Sequence, residues 1–174
     1  MRLSALLAFL FTFSAFSQTK KFTYIQFDIA IAIKGNGERG ETDIYDNKNN
    51  SWFLPDGFNS KIGYGLHYHK WAALGIHTGI EWKWTDKLII VPVFANIKLS
   101  PKISEDTRIV LQLGLGKAIT LGRGDLIGNY KKINLGIQTP DGLIIFIELS
   151  HYAIPINNQK DSGSVSLGVS LVTF

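Results

Sequence analysis

The chain has 174 residues, with 18 Lys and Arg against 14 Asp and Glu, and no cysteine. That length suits one domain with a full core and is short for two; the missing cysteine excludes disulfides, thiolate metal sites and a cysteine nucleophile. The net charge of +4 is mild and dispersed, with no basic cluster to suggest nucleic acid as a partner, and charged residues reach only 18% while Gly, aromatic and β-branched residues abound, which favours sheet over helix.

The N-terminus reads as a targeting segment. Arg2 is a positive n-region, residues 3–13 are apolar, and Ala15 and Ser17 place small side chains where a signal peptidase reads. Residues 1–17 are therefore expected to be a cleaved signal peptide and residues 18–174 the mature domain. The apolar stretch falls short of the roughly 20 residues that a spanning helix needs. No cysteine follows the site, so a lipid anchor there is excluded. The rest of the chain has no apolar run near 18 residues, which excludes an α-helical membrane protein.

Strand periodicity then dominates. In residues 21–34, Ile25, Phe27, Ile29, Ile31 and Ile33 alternate with Gln26, Asp28, Ala30 and Ala32, one oily face against one small or polar face. Residues 59–70 set Ile62, Tyr64, Leu66 and Tyr68 against Lys61, Gly63, Gly65, His67 and His69. Residues 71–84 set Leu74, Ile76, Thr78, Ile80 and Trp82 against Gly75, His77, Gly79 and Glu81. Residues 87–100 are the least regular: residues 88–91 are apolar on both faces, and Pro92 predicts a bulge or a local break. Residues 107–121, 129–138, 142–153 and 163–174 resume the alternation, the last with Val165, Leu167, Val169 and Leu171 opposing Ser164, Ser166, Gly168 and Ser170.

The connections favour an up-and-down order. Residues 35–58 are long and rich in Gly, Asn and Asp, turns are expected near 69–71, 85–86, 100–106, 121–128 and 139–142, and residues 154–162 form the last loop. An even strand number puts both mature termini on one side. With that side periplasmic, the 35–58 and 154–162 connections face outward, as short inner turns and longer outer loops require.

The second face decides between two opposite barrels. A soluble, lipocalin-like periplasmic carrier would turn the oily face inward around a ligand and would cover its outside with charge. Here the second face is dense in Gly, Ser and Ala with a few charges, which suits the narrow interior of an eight-stranded barrel. The oily face is uniformly Ile, Leu, Val and aromatic. Its charged exceptions, Lys117 and Lys131, fall toward strand ends, where a charge costs about 0–1 kcal/mol against about 2–4 at the bilayer midplane. Trp82, Trp84 and Tyr68 sit where an aromatic girdle belongs. The expected fold is all-β: an eight-stranded antiparallel up-and-down transmembrane β-barrel in contact with outer-membrane lipid.

The signal segment, the eight alternating strands, the 64–70 run YGLHYHK, the 112–117 run QLGLGK and the terminal Phe174 together resemble small outer-membrane β-barrel domain proteins. The resemblance implies residence in the cell outer membrane and recognition of the C-terminal strand, ending in Phe174, by the barrel assembly machinery. Phe174 departs from the pattern by lying on the parity of Ser166, Gly168 and Ser170. Either a bulge shifts the final residues or the terminal signal is degenerate.

Several chemistries can be weighed. Asp28, Lys61, His67, His77, Glu81, Lys83, Arg108, Lys132 and Glu148 share the inner parity; they read as a proton or ion path, as a catalytic cluster or, more economically, as a salt-bridged plug, because buried charges must pair. His67, His69, His77 and Glu81 are legitimate zinc ligands at no recognised spacing, so no metal and no cofactor is assigned. Ser150 and His151 are similar to the His-x-Ser strand of outer-membrane lipid A deacylases. Placed on it, His151 matches the histidine and Ala153 stands where the nucleophile belongs. Ser150 points the other way, and no Glu follows to orient the histidine. The expectation is a non-enzymatic barrel with a structural or surface-interaction role. A lipid A-modifying enzyme is the first alternative and the soluble carrier the second.

Overall fold

A computed structural model describes residues 22–37, 39–40, 50–121, 126–154 and 162–174; the signal segment and most of the two long loops lie outside these. Eight strands run in chain order: β1 (Thr23–Gly35), β2 (Phe53–Tyr68), β3 (Ala72–Lys83), β4 (Leu88–Leu99), β5 (Arg108–Leu121), β6 (Ile127–Gln138), β7 (Leu143–Ala153) and β8 (Ser162–Thr173). Each is antiparallel to its neighbours, and β8 pairs with β1 to close the barrel. Closure removes the free edges that an open sheet would expose to lipid.

The register fixes the geometry. A walk through directly paired residues begins at Thr23 and passes Leu66, Leu74, Ile97, Leu113, Ile133, Leu149 and Val165. It returns to β1 at Ile33, a displacement of ten residues. Eight strands with that stagger tilt by about 40°, so one residue climbs about 2.5 Å along the axis and one step between strands about 3 Å. On β3 the outward residues from Ala72 to Trp82 then cover about 25 Å, the height of the apolar band of such barrels.

Every residue on the oily parity points out. Ile25, Ile76, Leu115, Ile145 and Leu171 are all more than half exposed, and Ile76 reaches 70%. Water does not tolerate an uninterrupted belt of this kind, whereas hydrocarbon does. The orientation a soluble carrier needs is the reverse. Inside, Gln26, Asp28, Asn59, Lys61, His77 and Glu81 are buried, so the polar parity forms the interior.

Two irregularities mark the sheet. Of the two outcomes expected at Pro92, the structure shows the local break and not the bulge: the β3–β4 ladder keeps its register but loses pairing between Thr78–Val93 and Glu81–Ile90, and β4–β5 pairs straight through Pro92–Ala118. Proline lacks the donor, so the ladder opens on one side only. The register shift lies instead between β1 and β2, where Ala32 faces Gly57 and Ile33 faces Pro55. Asp56 is the extra residue. Its carboxylate accepts hydrogen bonds from the backbone N–H and hydroxyl of Thr85, and its carbonyl accepts the Trp84 N–H at 2.8 Å. This bulge extends β2 back to Phe53, shortening the connection read as residues 35–58.

Candidate functional site: the barrel interior

The interior is stacked in three zones. Beside the termini, Tyr24, Ala73, Val110, Ile144, Phe146 and Val172 form an apolar cluster against which Phe174 packs. At the far end Leu88, Ile90, Phe94, Ala118, Tyr130, Tyr152 and Ile154 form a second, with Leu126. Charged and amide side chains fill the space between.

Inward glycines make room for the large side chains. A Cβ on Gly63 would sit 2.2 Å from the His77 ring, one on Gly75 2.5 Å from the Tyr24 hydroxyl, and one on Gly114 2.7–2.8 Å from Lys132 and Phe94. Small and large residues thus interleave across neighbouring strands, leaving a filled rather than a hollow lumen.

The central zone is an ion-pair network. Glu148 on β7 bridges two ammonium groups, Lys61 and Lys132, the latter at 3.0 Å. Lys61 also reaches Glu81 at 2.9 Å, and Lys132 lies 3.9 Å from Asp28. Glu81 accepts hydrogen bonds from the Tyr130 and Tyr152 hydroxyls. All five charged groups are buried and come from five strands, so the network ties β1, β2, β3, β6 and β7 together. In a low-dielectric interior such charges persist only when paired, which these are.

An amide relay lies next to it. The Gln26 side-chain amide donates to Asp28 at 2.8 Å and to Gln112 at 3.2 Å, Asn96 donates to Gln112 at 2.9 Å, and Tyr24 and His77 share a hydrogen bond of 3.0 Å. Lys98 is buried with its ammonium over the faces of Phe174, at 4.6 Å, and Tyr24, at 5.5 Å, where ring quadrupoles attract a cation.

Of the residues assigned to the interior from sequence, Asp28, Lys61, Glu81, Lys132 and Glu148 meet in one network. His77 belongs to the amide relay. Lys83 is near the far rim, donating to the Ser162 hydroxyl at 2.9 Å. Arg108 is near the opposite rim, donating to the Ser100 carbonyl at 3.0 Å, and half-buried His67 packs edge-on to Phe174 at 4.8 Å. The four weighed metal ligands do not converge: His69 is in the β2–β3 turn against Tyr68, and among the described residues no group of three or more metal-ligating side chains forms. Ser150 and His151 diverge as adjacent strand residues must. Ser150 is buried on the Tyr152 hydroxyl at 2.7 Å, and His151 is on the outer wall facing Lys131 and Gly163.

Sequence reasoning missed Lys98, because the irregular stretch around Pro92 hid the parity of β4. It also missed the inward aromatics Tyr24, Phe94, Tyr130 and Tyr152; the signal was available in the glycines on the same face of adjacent strands. The Phe174 alternatives resolve without a bulge. The β1–β8 register is unbroken, and Phe174 turns inward by simple parity to pack at the near-end opening.

No protein-family model matches the chain, and no curated protein does so. Among solved structures, the crystal structure of Neisserial surface protein A superposes with a TM-score of 0.52 at 14% identity, covering 87% of this chain and 97% of that one. The outer membrane enzyme PagL superposes at 0.53 with 13% identity, covering 83% and 98%. Both are small eight-stranded outer-membrane barrels. Likeness at this identity carries the fold and not an activity: the chain has the fold of the small eight-stranded outer-membrane β-barrels.

Proposed function

We propose that the protein is a non-enzymatic barrel of the outer membrane, exported by its N-terminal signal segment, that serves as a closed scaffold presenting surface loops to partners outside the cell. The observation that carries this reading is the filled interior: two apolar clusters flank an ion-paired zone. Asp28, Glu81 and Glu148 face Lys61 and Lys132 there, while two further buried lysines are held apart from the network, Lys98 over the Phe174 ring and Lys83 on the Ser162 hydroxyl. A paired plug of this kind stabilises the wall and leaves solute no route. Contact with partners then belongs to the loops between β1 and β2 and between β7 and β8, since rigid barrels carry recognition on their connections. Assembly through the C-terminal strand is part of the same proposal, resting on the family resemblance.

The deacylase reading has weaker support. His151 faces lipid, but its outward neighbour two residues on is Ala153, and its direct cross-strand partners are Lys131 and Gly163, so among these described residues the nucleophile's place carries no hydroxyl. Two assays test the proposal. Purified barrel in planar bilayers is expected to give no discrete conductance, and incubation with lipid A is expected to release no acyl chain. Turnover abolished by His151→Ala would overturn the non-enzymatic reading, and steady single-channel openings would overturn the plug.

A further inference from the structure

We infer that the near-end rim, beside the termini, and the wall above it form a site for one zwitterionic phospholipid whose headgroup carries a phosphate and a primary ammonium. Two depressions meet there. A groove of about 680 Å³ on the outer wall runs from Ile103 and Ile109 to Leu167. Its floor is Gly136, Phe146 and Gly168, direct partners on the inward parity that show it only backbone. A polar cleft of about 180 Å³ lies at the rim, its lining including Lys102, Glu105, Asp106, Arg108 and Gln138. The chain joins the two: Lys102 precedes Ile103, Arg108 precedes Ile109, and Gln138 follows Ile137, which also lines the groove.

The register gives the groove the height of one leaflet. Ile109 pairs with Ile137, Ile137 with Ile145 and Ile145 with Val169, each step climbing about 3 Å, and Leu167 is two residues, about 5 Å, above Val169. The groove thus rises about 14 Å along the axis, close to half of a hydrocarbon core about 30 Å thick. Arg108 and Gln138 are paired where β5 begins and β6 ends, so a headgroup at the open end reaches them over the edge. The β4–β5 connection folds back to serve both depressions. Ile103 N–H donates to the Thr107 carbonyl at 3.0 Å and Ile109 N–H to the Pro101 carbonyl at 3.1 Å, which sets Ile103 against the wall and Lys102 opposite Arg108.

The cleft matches such a headgroup in charge. It gathers Lys102 and Arg108 with Glu105 and Asp106, and among the described residues none of the four forms an ion pair. Arg108 gives one guanidinium N–H to the Ser100 carbonyl at 3.0 Å and keeps others. Gln138 is 4% exposed, and its side-chain oxygen has no hydrogen-bond partner, a buried acceptor that calls for a donor. A phosphate takes the Lys102 and Arg108 donors, while a primary ammonium has three N–H groups for Glu105, Asp106 and the Gln138 oxygen. A trimethylated ammonium has no N–H to give, and an anionic headgroup without an amine leaves both carboxylates unmatched. Because the groove opens on lipid and not water, the occupant is a whole lipid and not its free headgroup.

Native mass spectrometry of the whole barrel in detergent, titrated with phosphatidylethanolamine, phosphatidylcholine or phosphatidylglycerol of the same acyl chains, tests this. Wild type is expected to bind phosphatidylethanolamine about tenfold more tightly than either other lipid, the size of one charge-assisted hydrogen bond. In Glu105→Gln/Asp106→Asn the ethanolamine and choline lipids are expected to come within about twofold of each other. Those two lipids carry the same net charge, so their ratio is insensitive to the overall charge of the variant. Heat-shifted gel mobility monitors folding, and the wild-type ratio decides on its own where a variant does not fold. Equal wild-type affinity for the ethanolamine and choline lipids, phosphatidylglycerol bound as tightly as phosphatidylethanolamine, or an unchanged ratio in the folded variant would overturn the site. Displacement of the lipid by excess glycerophosphoethanolamine would overturn the assignment to a whole lipid. The site rests on the outer-membrane reading above: a chain that does not insert into vesicles refutes that reading, whereas an inserted barrel with equal affinities refutes the site alone.

Discussion

Replacing Glu148 by Gln separates a stabilising plug from polar filler. Glu148 accepts from Lys61 and, at 3.0 Å, from Lys132. In the variant Lys61 retains Glu81 at 2.9 Å, but Lys132 keeps only Asp28 at 3.9 Å. Removing one member of a buried pair costs about 3–5 kcal/mol, chiefly because a buried charge is left uncompensated. Here one ammonium keeps a good partner and the other does not, which places the expected loss toward the lower half of that range. Adding Lys132→Gln restores the charge balance and is expected to recover about 1–2 kcal/mol, a coupling typical of side chains in one network. The assay is equilibrium urea unfolding from lipid vesicles, followed by tryptophan fluorescence. All four tryptophans, Trp52, Trp71, Trp82 and Trp84, are exposed on the outside near the rims, so the signal reports departure from the membrane rather than a change in the lumen. A loss below about 1 kcal/mol, or a double variant weaker than the sum of its parts, would refute the argument.

Two further outcomes follow from local geometry. His69 and Lys70 are the two central residues of the Tyr68–Trp71 turn in the three-residue β2–β3 connection, with φ of 47° and 63°, and Trp71 N–H donates to the Tyr68 carbonyl at 3.2 Å. Asn-Gly is the pair such a turn prefers, so His69→Asn/Lys70→Gly is expected to raise stability in the same urea assay by about 1 kcal/mol. Gly63→Ala drives a methyl into the His77 ring. The ring must swing off Tyr24, a loss of about 1–3 kcal/mol, and most of it is expected to vanish in a His77→Ala background.

Much of the architecture was legible because a strand has only two faces. Ile29, Leu113 and Ile147 declare the lipid side by parity alone, and once their side was assigned the burial of Asp28, Lys61 and Glu148 followed. What parity does not carry is lateral position. That Glu148 reaches Lys61, three strands away round the shorter arc, depends on the ten-residue stagger, which no single strand encodes. Proline left its outcome open for a related reason. Its missing donor marks a weak point, but whether the ladder opens, as at Pro92, or gains a residue, as at Asp56, depends on the partner strand.

Site-directed spin labelling in reconstituted bilayers probes the account most directly. Nitroxides at Ile29, Leu113 and Ile147 are expected to be relaxed strongly by dissolved oxygen and little by a water-soluble nickel chelate, while labels at Gln112 and Ser170 are expected to be shielded from both. Reversal of that pattern, with the isoleucines and leucine enclosed and the interior positions open to solvent, would contradict it.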